Sequence, residues 1–326
     1  MNVLVTGGAG YIGSITVETL VARGHTVTVL DNLSTGHQGA VHADAAFVRA
    51  DLRDAGVVGE VLEAGGIEAV IHLAAYSLVG ESMREPIRYF GNNVVGTLTL
   101  LEVMVERGVK RLVLSSTAAL FGTAECIPIP EDAPVRPASV YGETKYLIER
   151  VLHRLCETAG LGFVTLRYFN AAGASATYGE DHRPETHLIP VALQVALGLR
   201  EGISIYGEDY DTSDGTCVRD YVHVLDLAEA HLLAVEGLRP GEARAYNLGN
   251  GAGFSVREVV EVCRRITGHP IPERVVARRP GDPPVLVADP SRIQRELGWT
   301  RRHAELEAIV RSAWDWHRAH PDGYRH

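Results

Sequence analysis

Tyr141 and Lys145 stand four residues apart, and Lys145 is one of only two lysines among 326 residues. A phenol with a pKa of ~10 is a poor base at neutral pH unless a nearby cation favours its phenolate, and an ammonium is such a cation. At this spacing in a helix both side chains leave the same face, one turn apart. The chemistry they suggest is removal of a proton from an alcohol as hydride leaves the same carbon, that is, redox chemistry at a sugar hydroxyl.

Far upstream, Gly7, Gly10 and Gly13 fall between an apolar run at 3–5 and a helical pattern at 14–22. Glycines there let the chain turn tightly, approach a pyrophosphate and pack helix on strand, while the helix N-terminus attracts the negative charge. Asp31 ends the next apolar run at about the spacing of the acid that bonds a ribose. Its carboxylate would repel a 2′-phosphate, so NAD is expected rather than NADP. Asp31-Asn32 would also serve as turn residues, and Asp51 at the next strand end admits the same two readings.

These groups need a scaffold. Short β-branched runs at 3–5, 27–30, 46–48, 70–73, 112–114 and 164–166 alternate with helical patterns, which implies βαβ units and a parallel sheet covered on both faces. The expected fold is α/β, with a Rossmann-type doubly wound domain over 1–170. After Asn170 the alternation stops and turn-rich segments appear at 173–185, 207–215, 249–253 and 278–284, with helices at 187–199, 224–235 and 256–266. Residues 171–326 read as a smaller, loop-rich substrate domain, some of whose segments return to the first. The helices at 92–107 and 141–158 carry wide apolar stripes, as expected of helices that face both the sheet and a partner subunit in a homodimer; core helices would look alike.

Bulk properties exclude other classes. A net charge of −10 argues against a nucleic-acid partner, which calls for a basic patch. No apolar run approaches the ~18 to 20 residues of a membrane span, and the chain enters a strand at Val3 without room for a leader, so a cytoplasmic protein is expected. Cys126, Cys156, Cys217 and Cys263 are widely spaced, the histidines show no ligand spacing, and no metal is expected.

The blocks TGGAGYIG at 6–13, SSTAALFG at 115–122, YGETK at 141–145, RYFNAAGA at 167–174, VRDYVHVLDLAEAH at 218–231 and RRPGD at 278–282 together resemble the epimerase branch of the extended short-chain dehydrogenase/reductase family. The resemblance runs essentially end to end. It implies interconversion of UDP-glucose and UDP-galactose: Tyr141 takes the proton of the sugar 4-hydroxyl, hydride passes from C4 to bound NAD, and the 4-keto sugar turns over before hydride returns to its other face. Lys145 would hold the nicotinamide ribose and lower the Tyr141 pKa. Thr117 takes the position of the hydroxyl that bonds the sugar oxygen, with Ser116 its nearest rival. Dehydratases and decarboxylases of this family place a carboxylate where Ala118 and Ala119 stand here.

The cofactor contacts implied are Gly7, Gly10, Tyr11, Ile12, Gly13, Asp31, Asn32, Asp51 and Leu52, with Leu73, Ala74, Ala75, Asn92, Ser115 and Phe169 alongside Tyr141 and Lys145. Ser77 stands near the place where many members have a lysine. For the nucleotide sugar, the resemblance implies Ser116, Thr117, Tyr141, Asn170, His187, Leu188, Tyr206, Arg219, Arg279, Asp282 and Leu286. Arginines suit a diphosphate because the planar fork binds two oxygens at once. Leu286 replaces a bulkier tyrosine of some relatives, which leaves open a UDP-N-acetylhexosamine substrate; 4-epimerisation of a UDP-pentose or UDP-glucuronate is the other alternative within the same resemblance.

Overall fold

Each of the six apolar runs forms a strand. The computed structural model describes residues 1–279 and 282–324, so Pro280 and Gly281 of the RRPGD block lie outside the described residues. The first half runs β1 (Asn2–Thr6), α1 (Tyr11–Ala22), β2 (Thr26–Asp31), β3 (Ala46–Arg49), α2 (Ala55–Ala64), β4 (Ala69–His72), α3 (Val79–Arg84) and α4 (Pro86–Tyr89), then α5 (Gly96–Glu106), β5 (Arg111–Thr117), α6 (Val140–Ala159) and β6 (Gly162–Tyr168). The second half runs β7 (Asn170–Ala172), α7 (Leu188–Ala196), β8 (Ile203–Tyr206), β9 (Val218–His223), α8 (Val224–Gly237) and β10 (Ala243–Leu248), then β11 (Gly253–Ser255), α9 (Val256–Thr267), β12 (Glu273–Val276), β13 (Val285–Leu286), α10 (Ser291–Leu297) and α11 (Leu306–Ala319).

β10 joins the first-half strands: it lies parallel to β6, with Ala243 opposite Phe163 and Leu248 opposite Tyr168. The sheet therefore has seven strands in the order β10-β6-β5-β4-β1-β2-β3. The chain builds outward from β1 in one direction and from β4 in the other, so a crevice opens at the carboxyl ends of those two strands, where open α/β sheets bind ligands. Strand alternation assigns the two faces. Val3 and Val5 pack with Val17 and Leu20 of α1 and Leu227 of α8, whereas Leu4 packs with Val58, Leu100, Met104, Ile148 and Leu152 of α2, α5 and α6.

The helix expected over 92–107 is regular only from Gly96, and the turn before it, Phe90–Val95, is π-helical. Asn93 in that turn is fully buried. Its Oδ1 accepts from Tyr76 N at 2.9 Å and its Nδ2 donates to Tyr76 O at 3.0 Å, which pins the loop after β4.

A second core forms where α7, α9 and α11 bring together Ile189, Leu193, Val259, Val260, Ile309 and Val310. α9 starts on a capping box, in which Ser255 Oγ accepts from Glu258 N at 3.1 Å and Glu258 Oε2 accepts from Ser255 N at 2.7 Å. Above this core β9 pairs with β7, β11 and β13.

Candidate active site

The three spaced glycines answer to different demands. Gly7 has φ +76°, and a Cβ there would meet Ala74 N at 2.6 Å; at Gly13 a Cβ would meet Gly7 O at 2.1 Å. These two are required by the protein's own packing at the crevice. At Gly10 the nearest neighbour would be Gly7 O at 3.4 Å, an ordinary contact, so its open flank suits a pyrophosphate approaching the backbone. α1 has neither a side-chain cap nor an acid in its first turn, which leaves the amide end at Tyr11, Ile12 and Gly13 for an anion. The Tyr11 ring is engaged elsewhere, its hydroxyl donating to Gly173 O at 2.6 Å. The residues present fit a dinucleotide.

Asp31 serves the turn reading in full view. Its two oxygens accept from Ala9 N at 3.1 Å and Leu33 N at 2.8 Å, and burial raises its pKa against those amides. Asn32 donates to Asp51 at 3.2 Å, and Arg53 grips both Asp51 oxygens at 2.8 Å, holding that carboxyl well below its usual range. Leu52 is buried beneath them. Leu73, Ala74 and Ala75 leave the end of β4 beside the glycine turn, Leu73 N donating to Thr6 O at 2.9 Å. Asn92 donates to the Asn93 side chain at 3.0 Å.

Tyr141, Lys145 and Glu149 occupy successive turns of α6, and all three are buried. Ser139 caps the helix, its Oγ accepting from Gly142 N at 3.1 Å, and Tyr141 N donates to Ser82 Oγ at 3.1 Å. The Lys145 ammonium donates to Ser115 O at 2.7 Å, near the carboxyl end of β5. Thr117 closes that strand; its hydroxyl accepts from Ala119 N at 3.1 Å and lies near enough to the Tyr141 phenol to draw its pKa down. Tyr168, opposite Thr117 on β6, bonds the Ser115 hydroxyl. Phe169 follows it, with its N donating to Leu248 O at 3.2 Å.

The expected lowering of the Tyr141 pKa is not supplied by the protein's own groups. Burial raises the phenol above its ordinary value and Tyr168 adds to this, while the Thr117 hydroxyl pulls the other way. Burial also brings Lys145 down to about 8, against the pull of Glu149.

Ser116, taken from the sequence as a substrate contact, points elsewhere. It is fully buried and donates to Glu149 Oε1 at 2.6 Å. Strand alternation turns it away from the side that carries Ser115 and Thr117. Arg167 completes the arrangement, reaching Glu149 Oε2 at 2.6 Å and Glu131 O at 2.9 Å. The sequence reading missed Glu149 and Arg167 as supports of the site. Glu149 lies one turn beyond Lys145 on the same stripe, a spacing that was there to be read.

In the second half, the small sheet collects the nucleotide-sugar candidates. Leu286 on β13 lies opposite Arg219 on β9, and Asn170 on β7 lies opposite Tyr221 of the same strand. Asn170 Nδ2 donates to Asp220 O at 2.9 Å, and Arg219 pairs with Asp282. The Arg279 guanidinium lies over the Tyr206 ring, 3.8 Å from its centroid. His187 is the N-cap residue of α7, immediately before the half-buried Leu188. Its ring faces Glu180 and Glu185, which raise its pKa far enough to outweigh burial.

The sequence pattern of the NAD dependent epimerase/dehydratase family matches residues 3–249. The UDP-glucose 4-epimerase of Halalkalibacterium halodurans is 54% identical over 327 residues, covering 99% of this chain and 98% of its own. Among solved structures, a UDP-glucose 4-epimerase superposes with a TM-score of 0.96 at 49% identity, covering 99% of each chain. The Brucella ovis UDP-glucose 4-epimerase in complex with NAD gives 0.93 at 44% identity, covering 97% of this chain and 98% of that one. The UDP-Glc/GlcNAc 4-epimerase of Campylobacter jejuni gives 0.86 at 39% identity, covering 97% and 99%. Since the likeness extends through both the glycine turn and the Tyr141 centre, the chain belongs to the NAD dependent epimerase/dehydratase family.

Proposed function

We propose that this chain interconverts UDP-glucose and UDP-galactose with NAD as its cofactor. The observation that carries the reading is the convergence of Thr117, Tyr141 and Lys145 at the carboxyl end of β5, two strands from the dinucleotide turn. Bound NAD supplies the hydride acceptor and donor and, when oxidised, a positive charge. Tyr141 removes the proton of the 4-hydroxyl as the alcohol becomes a ketone, and returns it when the carbon is reduced on its other face. Thr117 orients the sugar oxygen, and Lys145 holds the cofactor ribose with its ammonium near the phenol.

Residues 1–170 are assigned to NAD, through Gly7, Gly10, Gly13 and Asp31. Residues 171–326 are assigned to the sugar nucleotide, with Arg219 and Arg279 on the diphosphate and His187, Leu188, Tyr206 and Asp282 around it, joined by Asn170 from the end of the first part. To test this, the protein is incubated with UDP-galactose and the products are identified by NMR. UDP-glucose should form without accumulation of free NADH; turnover of another UDP-sugar alone would refute the assignment.

A second substrate is favoured by one observation. Leu286 sits beside Arg219 at the position where a tyrosine narrows the pocket of some relatives, and the smaller side chain leaves space for a 2-acetamido group. Leu286→Tyr should lower kcat/KM for UDP-N-acetylgalactosamine about tenfold while sparing UDP-galactose, one to two kcal/mol of steric selection being roughly that factor. Equal loss on both substrates removes the pocket argument.

The working unit is assigned as a homodimer. Val79, Met83, Ile87, Val95, Leu98 and Val105, along α3 to α5, are all more than 40% exposed, and exposed apolar side chains gathered on one run of helices suit a protein–protein interface. α6 is the weaker half of the expected interface, since its outer residues include Glu143, Arg150 and Arg154. Among the described residues no helix is long and apolar enough to cross a membrane. The four cysteines are free, which favours the cytoplasm.

A further inference from the structure

Between β7 and α7 the chain gathers four donor groups, of which the epimerase reading uses only His187, as a neighbour of the sugar nucleotide. The segment at 180–187 folds so that one donor atom each from Glu180, His182, Glu185 and His187 lies within 4.8 Å of the others. In the linear sequence these residues fit no familiar ligand spacing; the turns between β7 and α7 bring them together. Both carboxylates are 5% exposed. Glu180 Oε1 stands 2.9 Å from His182 Nδ1 and 2.8 Å from His187 Nδ1, and Glu185 Oε1 stands 2.9 Å from His187 Nδ1. Two rings thus turn the same nitrogen inward onto two buried acids.

Two buried carboxylates need two positive charges close by. One divalent cation would balance both acids. Two imidazole nitrogens and two carboxylate oxygens make a four-coordinate set that suits zinc.

We propose that Glu180, His182, Glu185 and His187 bind one zinc ion, which fastens the loop ahead of α7. That loop is already tied to the dinucleotide turn by the Tyr11 bond to Gly173 and to α11 by the Trp316 Nε1 bond to Thr177 O at 3.3 Å. A closed four-ligand site is structural in character. Its effect would be to hold the start of α7, and with it His187 and Leu188, at the edge of the sugar-nucleotide cleft.

The full-length, tag-free protein is stripped with a chelator, equilibrated with Zn2+ and desalted, and its metal is counted by mass spectrometry. Expected is about one zinc per chain, lost in His182→Ala and in Glu180→Gln, with circular dichroism as the check on folding. Equal zinc content in the wild type and in a folded variant overturns the proposal. Should both variants fail to fold, calorimetric titration of the stripped wild type with Zn2+ decides: a single site tighter than about 1 μM upholds it, and no such site overturns it.

Discussion

The phenol at the centre of the site is poorly placed to act alone. Burial raises the Tyr141 pKa, and the ammonium one turn along is hydrogen-bonded to Ser115 O. In the proposed mechanism the remaining help would come from the charge of the oxidised cofactor, which would couple proton removal to cofactor state. Tyr141→Phe should lower kcat by about 10³-fold, the usual scale for a lost general base, while bound NAD, measured by its release on denaturation, stays at wild-type stoichiometry. Loss of the cofactor together with the activity would count against a purely chemical role. Lys145 is itself a cost to folding. Its pKa falls from 10.5 to about 8 on burial, which disfavours the fold by about 3 kcal/mol at neutral pH. The penalty is complete below about pH 8 and lifts as pH rises toward the unfolded value. Lys145→Met should therefore be inactive yet more stable to urea at pH 7, by about 1 to 2 kcal/mol once the lost hydrogen bond is counted, with its advantage shrinking between pH 8 and 10. An advantage that does not change with pH would exclude the ammonium as its source.

At the scale of elements, the glycine turn separates packing from binding. Gly13 presses against Gly7 O, so Gly13→Ala should disrupt the β1-α1 crossover and lower Tm by several degrees. Gly10 has room for a methyl group against the protein. Gly10→Ala should keep the wild-type Tm of the cofactor-free protein while weakening NAD affinity at least tenfold, as read by fluorescence titration of the stripped enzyme. A reversal of the two phenotypes would sink the distinction. The other device at this scale is the link among Ser116 on β5, Glu149 on α6 and Arg167 on β6. It holds the helix that carries Tyr141 against the strand that carries Thr117. A buried ion pair of this kind is a weak source of net stability, but removing one partner leaves an expensive uncompensated charge, so it resists relative movement of the two elements.

For the whole molecule, the exposed apolar side chains along α3 to α5 are the feature on which the proposed homodimer rests. Leu98→Arg, with Ile87→Arg as an independent second variant, should convert a dimer to a monomer in sedimentation velocity; a wild type that sediments as a monomer at micromolar concentration removes the assembly. Much of this architecture was readable in advance. The six strands were legible because parallel strands covered on both faces are nearly continuous apolar runs. β10 was overlooked because the regular alternation stops at Asn170 and its strand partner, β6, lies some eighty residues earlier. The irregular start of the helix before α5 was equally hidden, since apolar periodicity does not register a single π-helical turn.

Local chemistry alone determined the dinucleotide turn, the Tyr141–Lys145 pair and the class of fold, because these depend on steric freedom, helical spacing and strand periodicity over a few neighbouring residues. The sequence therefore carried them without reference to distant parts of the chain. Which hydroxyl faces Tyr141, and that Ser116 is bound up with Glu149, were decided only by the packing of β5 against α6. Likewise Asn170, Arg219 and Leu286 meet through long-range strand pairing around β9, and Glu180, His182, Glu185 and His187 converge through turns. Such encounters depend on the path of the whole chain, and hydrophobic patterning is silent about where two polar side chains from remote segments will meet.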